Sequence, residues 1–291
     1  CLNGGGKRCA SRTYAVKSIH RGTEEWSGML KPFVSDLCFR SIASRRYASD
    51  DHVTFKPYTC QAALLFVDLS GYSKITAAIA HKGAHVLSSA VNAYLARLLS
   101  IIRHRGGDVI KFAGDALLVV WEGNEQELEI NVLCAAQCAV ELQEKAGEHR
   151  VEGTGHSFKI HIGLCCGPLD SEVFEAPVHQ HMQRLYHYVG GDAVAEIGDL
   201  VDLARAGETC ISRNCFNFLE AEGTYDDIPN GNGNKLLRTL NFDDSELKEL
   251  VEWHMEKIKD DRLEIRDRAI EEDFIHQSVL AYLNHGGLSP T

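Results

Sequence analysis

No run of roughly 18 consecutive apolar residues, the length that a membrane-spanning helix needs, occurs in this sequence of 291 residues. The sequence therefore predicts no membrane span. An excess of positive charge is also missing, since 30 Lys and Arg residues face 41 Asp and Glu residues and the formal net charge is −11. A general nucleic-acid binder would carry a basic stripe, so we expect no nucleic-acid partner. A nucleotide substrate stays compatible with this charge, because metal ions and backbone dipoles neutralise phosphates locally.

Cysteine pairs with CxxC spacing are absent, although the chain has ten cysteines. Cys134 and Cys138 lie four residues apart in a predicted helix, and Cys165 and Cys166 are adjacent in a predicted strand. Cysteine in apolar surroundings commonly behaves as a small buried hydrophobic residue. We therefore expect mostly buried thiols, and a disulfide framework or a zinc site is the lesser alternative. Reduced thiols are typical of an intracellular compartment, which predicts a cytoplasmic protein.

The stretch from Gln61 to Gly123 organises the rest of the chain. An apolar run over residues 62–67 predicts a buried strand that ends at Asp68. Directly after it, Ser70-Gly71 turns the chain into a helix. A carboxylate therefore stands beside a glycine turn and a helix N-terminus, where backbone amides favour anions such as phosphates.

A second carboxylate, Asp115, lies in a predicted tight hairpin. It follows Gly114 between two apolar runs, 109–113 and 116–121, that read as strands. Hard oxygen ligands at the ends of adjacent strands suit divalent cations that carry a polyphosphate. In outline, Asp68 and Asp115 predict a two-metal phosphoryl-transfer site.

Apolar periodicity predicts the remaining elements. Their order is β-α-α-β-β-α-β-β-α-β, which favours an α+β fold with a ferredoxin-like βααββαβ core and its helices on one face of a mostly antiparallel sheet. The predicted elements are an N-terminal helix or arm at Trp26–Ala43, helices over 72–104 with a break near Lys82-Gly83, helices at Glu125–Glu148 and Asp192–Ala206, and strands at Phe158–Cys166 (ending at Gly167-Pro168), Leu185–Val189 and Thr209–Ser212.

Two motifs resemble those of a known family. FVDLSGYSKIT at 66–76 and GGDVIKFAGDALLVVW at 106–121 are similar to the metal-binding half of class III nucleotidyl cyclases, above all to the first catalytic domain of the soluble, bicarbonate-regulated adenylyl cyclases. The resemblance covers roughly residues 59–218. It implies the class III cyclase domain fold and the conversion of ATP to 3′,5′-cyclic AMP and pyrophosphate.

The resemblance also implies roles for individual residues of the central stretch. Asp68 and Asp115 match the aspartates that hold two divalent cations, Mg²⁺ or Mn²⁺, and the backbone carbonyl of Leu69 matches one that completes a metal site. The nucleotide's triphosphate would bind at the turn formed by Ser70, Gly71, Tyr72 and Ser73.

The resemblance also implies contacts beyond the metal ligands and the triphosphate turn. Lys111 and Val189 match anion or base contacts. His161 stands where the family places a basic residue against phosphate, and an ordinary histidine is largely neutral at pH 7.

Three positions depart from the family pattern. Ala195 and Asp199 stand where homodimeric members carry an Asn and an Arg that contact ribose and the transition-state phosphate. Gly198 stands where the soluble enzymes carry their bicarbonate-binding Arg. We therefore expect a second cyclase domain, later in the same polypeptide, to supply the missing groups. We also expect little or no stimulation by bicarbonate, because glycine offers no charged donor.

The sequence predicts three segments: a leader or arm at 1–58, the metal-bearing cyclase domain at 59–220, and a charged helical linker at 221–291 that leads toward the second domain. A non-catalytic cyclase-fold module in a larger assembly stays open as the alternative function. A diguanylate cyclase is a weaker option, because the turn at 113–116 lacks the GGDEF pattern. By resemblance alone, the protein could associate with a cilium or another assembly.

Three histidines, His179, His181 and His187, lie close together in the sequence. No carboxylate or cysteine flanks them at ligand spacing, so a polar hairpin is favoured over a metal site.

Overall fold

The computed structural model describes residues 34–43, 46–47, 53–54, 57–79, 84–151, 154–179 and 182–241, together with Ser245, Glu249, Glu252 and Trp253. The predicted leader, the start of the N-terminal arm, the break near Lys82-Gly83 and His181 lie outside these residues. So does nearly all of the charged segment after residue 241.

Within the described residues the chain forms six helices and eleven strands. The helices are α1 (Asp36–Ala43), α2 (Tyr72–Ile79), α3 (Ala84–His104), α4 (Leu128–Ala146), α5 (Asp192–Leu203) and α6 (Arg213–Leu219). The strands are β1 (Arg46–Tyr47), β2 (Val53–Thr54), β3 (Tyr58–Ser70), β4 (Asp108–Ala113), β5 (Ala116–Gly123), β6 (Glu148–Val151), β7 (His156–His179), β8 (Met182–Gly190), β9 (Thr209–Ile211), β10 (Gly223–Asp227) and β11 (Lys235–Leu240).

One sheet of nine strands carries the domain. Its order is β10-β11-β9-β7-β3-β5-β4, and β6 and β8 pair with β7 off this path. Only the β7–β9 pairing is parallel, so the predicted mostly antiparallel α+β fold is confirmed. β1 and β2 form a separate small hairpin.

Helices cover both faces of the sheet, so the expectation that they share one face is wrong. Alternate residues of β3 point to opposite sides. Ala63 and Leu65 belong to a core that α2, α3, α4 and α6 cover, whereas Ala62 and Leu64 belong to a second core under α1 and α5. The sequence carried this signal, because a strand that is apolar without alternation is buried on both faces.

Helix α1 is fixed to the sheet by polar contacts at several points. The Leu37 N–H donates to the Asp108 carboxylate of β4 at 3.0 Å. Arg40 forms an ion pair with Glu122 of β5, and both side chains are largely buried. Ser41 hydrogen-bonds Ser171 of β7 at 2.5 Å. The predicted N-terminal element therefore packs on the domain, but within the described residues its helix is limited to 36–43.

Several predicted boundaries shift for local reasons. Helix α4 begins at Leu128 rather than Glu125, because the Asn124 side-chain oxygen accepts the Gln126 and Glu127 N–H groups and holds residues 124–127 in a turn. Strand β7 does not end at Gly167-Pro168 but runs on to His179. On one side of β7, β9 pairs with residues 162–164 and β8 pairs from residue 170 onward, so Pro168 falls between partners there.

The sequence analysis missed several short elements. β6 and α6 were not predicted, and residues 223–240, placed in the helical linker, form strands β10 and β11 at the sheet edge. After residue 241 the structure describes only Ser245, Glu249, Glu252 and Trp253 of the predicted linker. The division of the chain into domains stays a prediction.

The cysteines follow the expectation of buried thiols. The eight described ones are all buried: Cys38, Cys60, Cys134, Cys138, Cys165, Cys166, Cys210 and Cys215. Burial raises the pKa of the Cys210 thiol to about 12, which makes it unreactive near neutral pH.

As for membranes, the described helices include none that combines the length and apolar character required to cross a bilayer.

Candidate active site

The two predicted carboxylates meet at one edge of the sheet. β3 pairs with β5 up to Val67 opposite Leu117. Asp68 is the next residue of β3, and Asp115 lies two residues before Leu117, in the hairpin turn that joins β4 to β5. The sheet therefore brings Asp68 and Asp115 to neighbouring positions at the same strand ends. Both side chains are half-buried.

The hairpin turn has the geometry that its sequence predicts. Ala113 pairs with Ala116, which leaves a two-residue loop of Gly114 and Asp115. Gly114 has φ +70°, and glycine at the first loop position is typical of type II′ hairpins. The backbone conformation at Gly114 therefore determines the position of Asp115 in the turn.

Asp68 differs from the prediction in one respect. It lies inside β3, which continues to Ser70, and it is paired across the sheet with His161 of β7. The His161 Nε2 atom lies 3.1 Å from the Asp68 carboxylate, and the two side chains are 16% and 31% exposed, respectively. The other ring nitrogen, Nδ1, lies 3.0 Å from the Ser70 hydroxyl. A neutral ring satisfies both contacts when Nε2–H donates to Asp68 and Nδ1 accepts from Ser70.

The turn after β3 requires glycine at position 71. Gly71 has φ +96°, and a Cβ added there would lie 2.7 Å from the Ser157 carbonyl oxygen. The Gly71 carbonyl accepts the Ile75 N–H at 3.0 Å, and α2 begins at Tyr72. The first amides of α2 are therefore presented at the strand end, as an anion-binding turn requires. For Tyr72 and Ser73 the structure describes the backbone only.

The residues present fit divalent cations that arrive with a nucleotide. Asp68 and Asp115 are hard oxygen donors, and Mg²⁺ is commonly held by one or two carboxylates with substrate phosphates and water. Among the described residues no group of three or more His, Cys, Asp and Glu side chains forms a cation site by itself. The predicted ligands thus form an open, two-carboxylate site. The roles assigned to them, and to the Leu69 carbonyl, stay predictions.

Lys111 and Val189 lie on the sheet face that α1 and α5 partly cover. Lys111 is exposed and opposes Leu118, a residue of the core under those two helices. Val189 packs partly buried against the same core. By strand alternation, Asp68 points to this face as well, since it follows Ala62 and Leu64 at even spacing.

The three departing residues share an exposed surface of α5. Gly198 and Asp199 follow Ala195 by three and four residues, and all three are exposed. Nothing described lies within 4 Å of a Cβ built on Gly198. Burial, and then the neighbouring Asp199 carboxylate, raise the pKa of Glu196. This surface of α5 is thus acidic, with no cation in place of the expected arginines.

The histidine hairpin forms as predicted, with β7 paired to β8. His187 hydrogen-bonds Ser171 at 2.7 Å. His179 lies near the hairpin tip, and the structure does not bring it into the candidate site.

Sequence reasoning missed two lysines near the candidate site. Lys159 opposes Ser70 across the β3–β7 pair, and Lys74 lies in the first turn of α2. The available signal was spacing, because Lys159 precedes His161 by two residues and must share its face of the sheet.

Two carboxylates beside a phosphate-type turn, on an antiparallel sheet with helices on both faces, define a nucleotidyl cyclase catalytic domain. The chain belongs to this family: the model of the adenylate and guanylate cyclase catalytic domain matches residues 54–224. Its curated relatives include adenylate cyclase type 10 of Oryctolagus cuniculus and of Homo sapiens, at 29% and 28% identity over 162 residues. Each alignment covers 54% of this chain, which spans only 10% of the relative's length. The resemblance seen in the sequence is confirmed.

Solved structures share the fold. The adenylyl cyclase CyaB from P. aeruginosa matches with a TM-score of 0.52 and 17% identity, over 65% of this chain and 98% of that chain. A bacterial light-regulated adenylyl cyclase matches with a TM-score of 0.55 and 18% identity, over 80% and 66%. The guanylate cyclase domain of RhGC from Catenaria anguillulae, in complex with GTP, matches with a TM-score of 0.52 and 19% identity, over 64% and 100%.

Proposed function

We propose that this chain is the metal-bearing half of an adenylyl cyclase, which converts ATP to 3′,5′-cyclic AMP and pyrophosphate together with a second cyclase domain. The convergence of Asp68 and Asp115 beside the Gly71 turn carries this proposal. The relatives named adenylate cyclase favour ATP as the substrate.

Two Mg²⁺ or Mn²⁺ ions would be held by Asp68, Asp115 and the Leu69 carbonyl, and they would acidify the ribose 3′-hydroxyl and neutralise the leaving oxygens. The chain's own groups bind and orient. The Ser70–Ser73 turn holds the triphosphate with its amides. His161 keeps the Asp68 carboxylate and the Ser70 hydroxyl in place through its two ring nitrogens.

The second domain enters the proposal because this half lacks groups that the reaction needs. Ala195 and Asp199 on α5 provide no cation for the transition-state phosphate and no amide for the ribose. A developing negative charge requires preorganised donors. These donors come from the partner domain, which would lie later in the same polypeptide.

The test replaces each carboxylate with its amide in the full-length protein. For Asp68→Asn and Asp115→Asn we expect cyclic AMP production to fall by at least about 10²–10³-fold, comparable to removing one preorganised stabilising group. Asp202→Asn, an equal change of charge at an exposed position of α5, serves as the control and should keep full activity.

A non-catalytic cyclase-fold module is the second candidate, since Ala195 and Asp199 are compatible with both roles, whereas the two intact carboxylates favour the enzyme. The cyclic AMP assay distinguishes the enzyme from the non-catalytic module. Near-normal cyclic AMP synthesis by the doubly substituted protein, or none by the full-length wild type, would favour the non-catalytic role.

A further inference from the structure

A cavity of about 320 Å³ opens beside the turn that follows β3. Ser70, Gly71, Lys74, Ser157 and Lys159 are among the residues that line it. Its size is at the lower end of small-ligand sites. The cavity therefore adjoins the proposed triphosphate turn, whose first two residues form part of its lining.

The cavity is locally basic in a chain whose net charge is −11. Two lysines and His156 line it, and none of the described lining residues is a carboxylate. Lys74 is exposed. Lys159 is paired only loosely with Glu148, with 3.8 Å between the ammonium nitrogen and the carboxylate oxygen and both side chains about half exposed (47% and 49%). Both ammonium groups can therefore turn toward an anion in the cavity.

His161, the residue expected to contact phosphate, already makes contacts within the protein through both ring nitrogens. His161 uses one ring nitrogen on Asp68 and the other on Ser70. Both ring nitrogens are therefore occupied by protein contacts. Lys159 lies two residues earlier on β7, on the same face of the sheet, and directly opposite Ser70. Lys159 can therefore supply a positive charge two residues away from His161, the position at which a basic residue was expected.

We propose that Lys74 and Lys159 bind the terminal phosphates of the nucleoside triphosphate and hold the pyrophosphate that leaves. This inference rests on the proposed function, because it places the triphosphate at the Ser70-Gly71 turn. The ligand class is a di- or triphosphate anion. A nucleoside monophosphate lacks these terminal phosphates and serves as the comparison ligand.

Binding of inorganic pyrophosphate to the full-length protein, measured by calorimetry with Mg²⁺ present, tests the proposal directly. Lys74→Ala and Lys159→Ala should each weaken binding about fivefold, the upper range for an exposed charge pair, and the double variant more. Lys159→Arg should restore most of the affinity. Lys145→Ala, an equal loss of charge on α4, is the control and should bind normally.

A substitution that should strengthen pyrophosphate binding provides a second test. Glu148→Gln removes the carboxylate that competes for Lys159, so pyrophosphate affinity should rise. AMP affinity should stay unchanged in every variant. Wild-type pyrophosphate affinity in the double lysine variant, or an equal loss in Lys145→Ala, would overturn the proposal.

Kinetics separates this inference from the proposed function. In an active enzyme the double lysine variant should raise the KM for ATP and the pyrophosphate inhibition constant together, with a smaller change in kcat. An active wild type with unaltered lysine variants contradicts the inference alone. A wild type that makes no cyclic nucleotide contradicts the proposed function, and the pyrophosphate titration still decides the role of the lysines. Should an alanine variant fold poorly by thermal unfolding, Lys→Gln at the same positions replaces it.

Discussion

His161 uses both ring nitrogens inside the candidate site, and this distinguishes it from a simple phosphate-binding cation. Its contacts reach Asp68 and Ser70, which belong to the same strand, so the ring fixes two neighbouring side chains at once. Groups that orient metal ligands commonly matter nearly as much as the ligands. At this position the side chain thus acts as an orienting group.

Substitution of His161 should therefore act on the metal ions more than on the nucleotide. For His161→Ala we expect activity and Mn²⁺ affinity to fall about 10–100-fold, the range for residues that orient ligands. His161→Gln keeps one donor and should lose less. Mn²⁺ binding can be followed by electron paramagnetic resonance without nucleotide. A large rise in the KM for ATP with unchanged Mn²⁺ affinity would mean that His161 contacts phosphate instead.

The sequence predicted the two acids of the candidate site but not the two lysines beside it. Asp68 and Asp115 stand beside glycine turns and strand ends, and those local patterns determine their position. No comparable local sequence pattern identifies Lys74 or Lys159. Only the pairing of β3 with β7 brings Lys159 opposite Ser70, and no local sequence pattern specifies that register.

At the scale of secondary structure, helix α1 and the β7–β8 hairpin are joined by a buried polar chain. Ser41 donates to the Leu37 carbonyl at 2.9 Å. The remaining contacts are satisfied if Ser171 donates to Ser41 and the His187 Nε2–H donates to Ser171. A neutral His187 with its proton on Nε2 fits this chain of donors, and burial lowers the pKa of this histidine from 6.5 to about 4.

This histidine makes the stability of the fold depend on pH. Because the folded-state pKa lies below the unfolded value, the unfolded chain binds the proton first. The stabilising contribution is complete above pH 6.5 and is lost as the pH falls toward 4, by about 3 kcal/mol in total. Urea unfolding at pH 7 and pH 4.5 should reveal the loss. His187→Gln should flatten it, whereas His104→Gln at an exposed position should not.

Helix α5 offers a second test, at Gly198. A glycine in an exposed helix interior costs roughly 0.5–1 kcal/mol relative to alanine, and nothing crowds this position. Gly198→Ala should therefore raise the free energy of unfolding by about that amount.

The same open space at position 198 accommodates Gly198→Arg, which adds a guanidinium that can bind a planar anion through two hydrogen bonds. We expect bicarbonate to stimulate the full-length Gly198→Arg protein at fixed pH and salt, but not the wild type. Saturable stimulation of the wild type would show that another group supplies the charge.

At the scale of the whole molecule, the proposed function implies that residues 1–291 by themselves lack part of the catalytic site. Residues 1–291 should make essentially no cyclic AMP with ATP and Mg²⁺ or Mn²⁺, because Ala195 and Asp199 leave a homodimer without transition-state donors. Turnover of about 1 s⁻¹ or more, within the usual enzyme range, would contradict this. Addition of the partner domain should restore synthesis, and the Asp115→Asn chain with the same partner should not.

The sheet's centre was predictable and its edge was not. β3 and β5 are buried apolar runs that indicate strands without any tertiary knowledge. β10, with the sequence GTYDD, exposes most of its residues and lacks an apolar period, as an edge strand can. It becomes a strand only because β11 pairs with it, and β11 in turn pairs with β9. The extent of the domain past residue 220 therefore depended on pairings that the local sequence does not encode.

The sheet order also affects how this protein is made on the ribosome. Asp68 and Asp115 lie on strands joined by local hairpins and helices, so their part of the sheet can form early in translation. The other edge of β3 stays bare until β7, with His161, has been synthesised. Unpaired strand edges favour aggregation, and pairings distant in sequence form slowly. A nascent chain that stops before residue 159 would therefore place both carboxylates beside an unpaired sheet edge, a surface that favours aggregation.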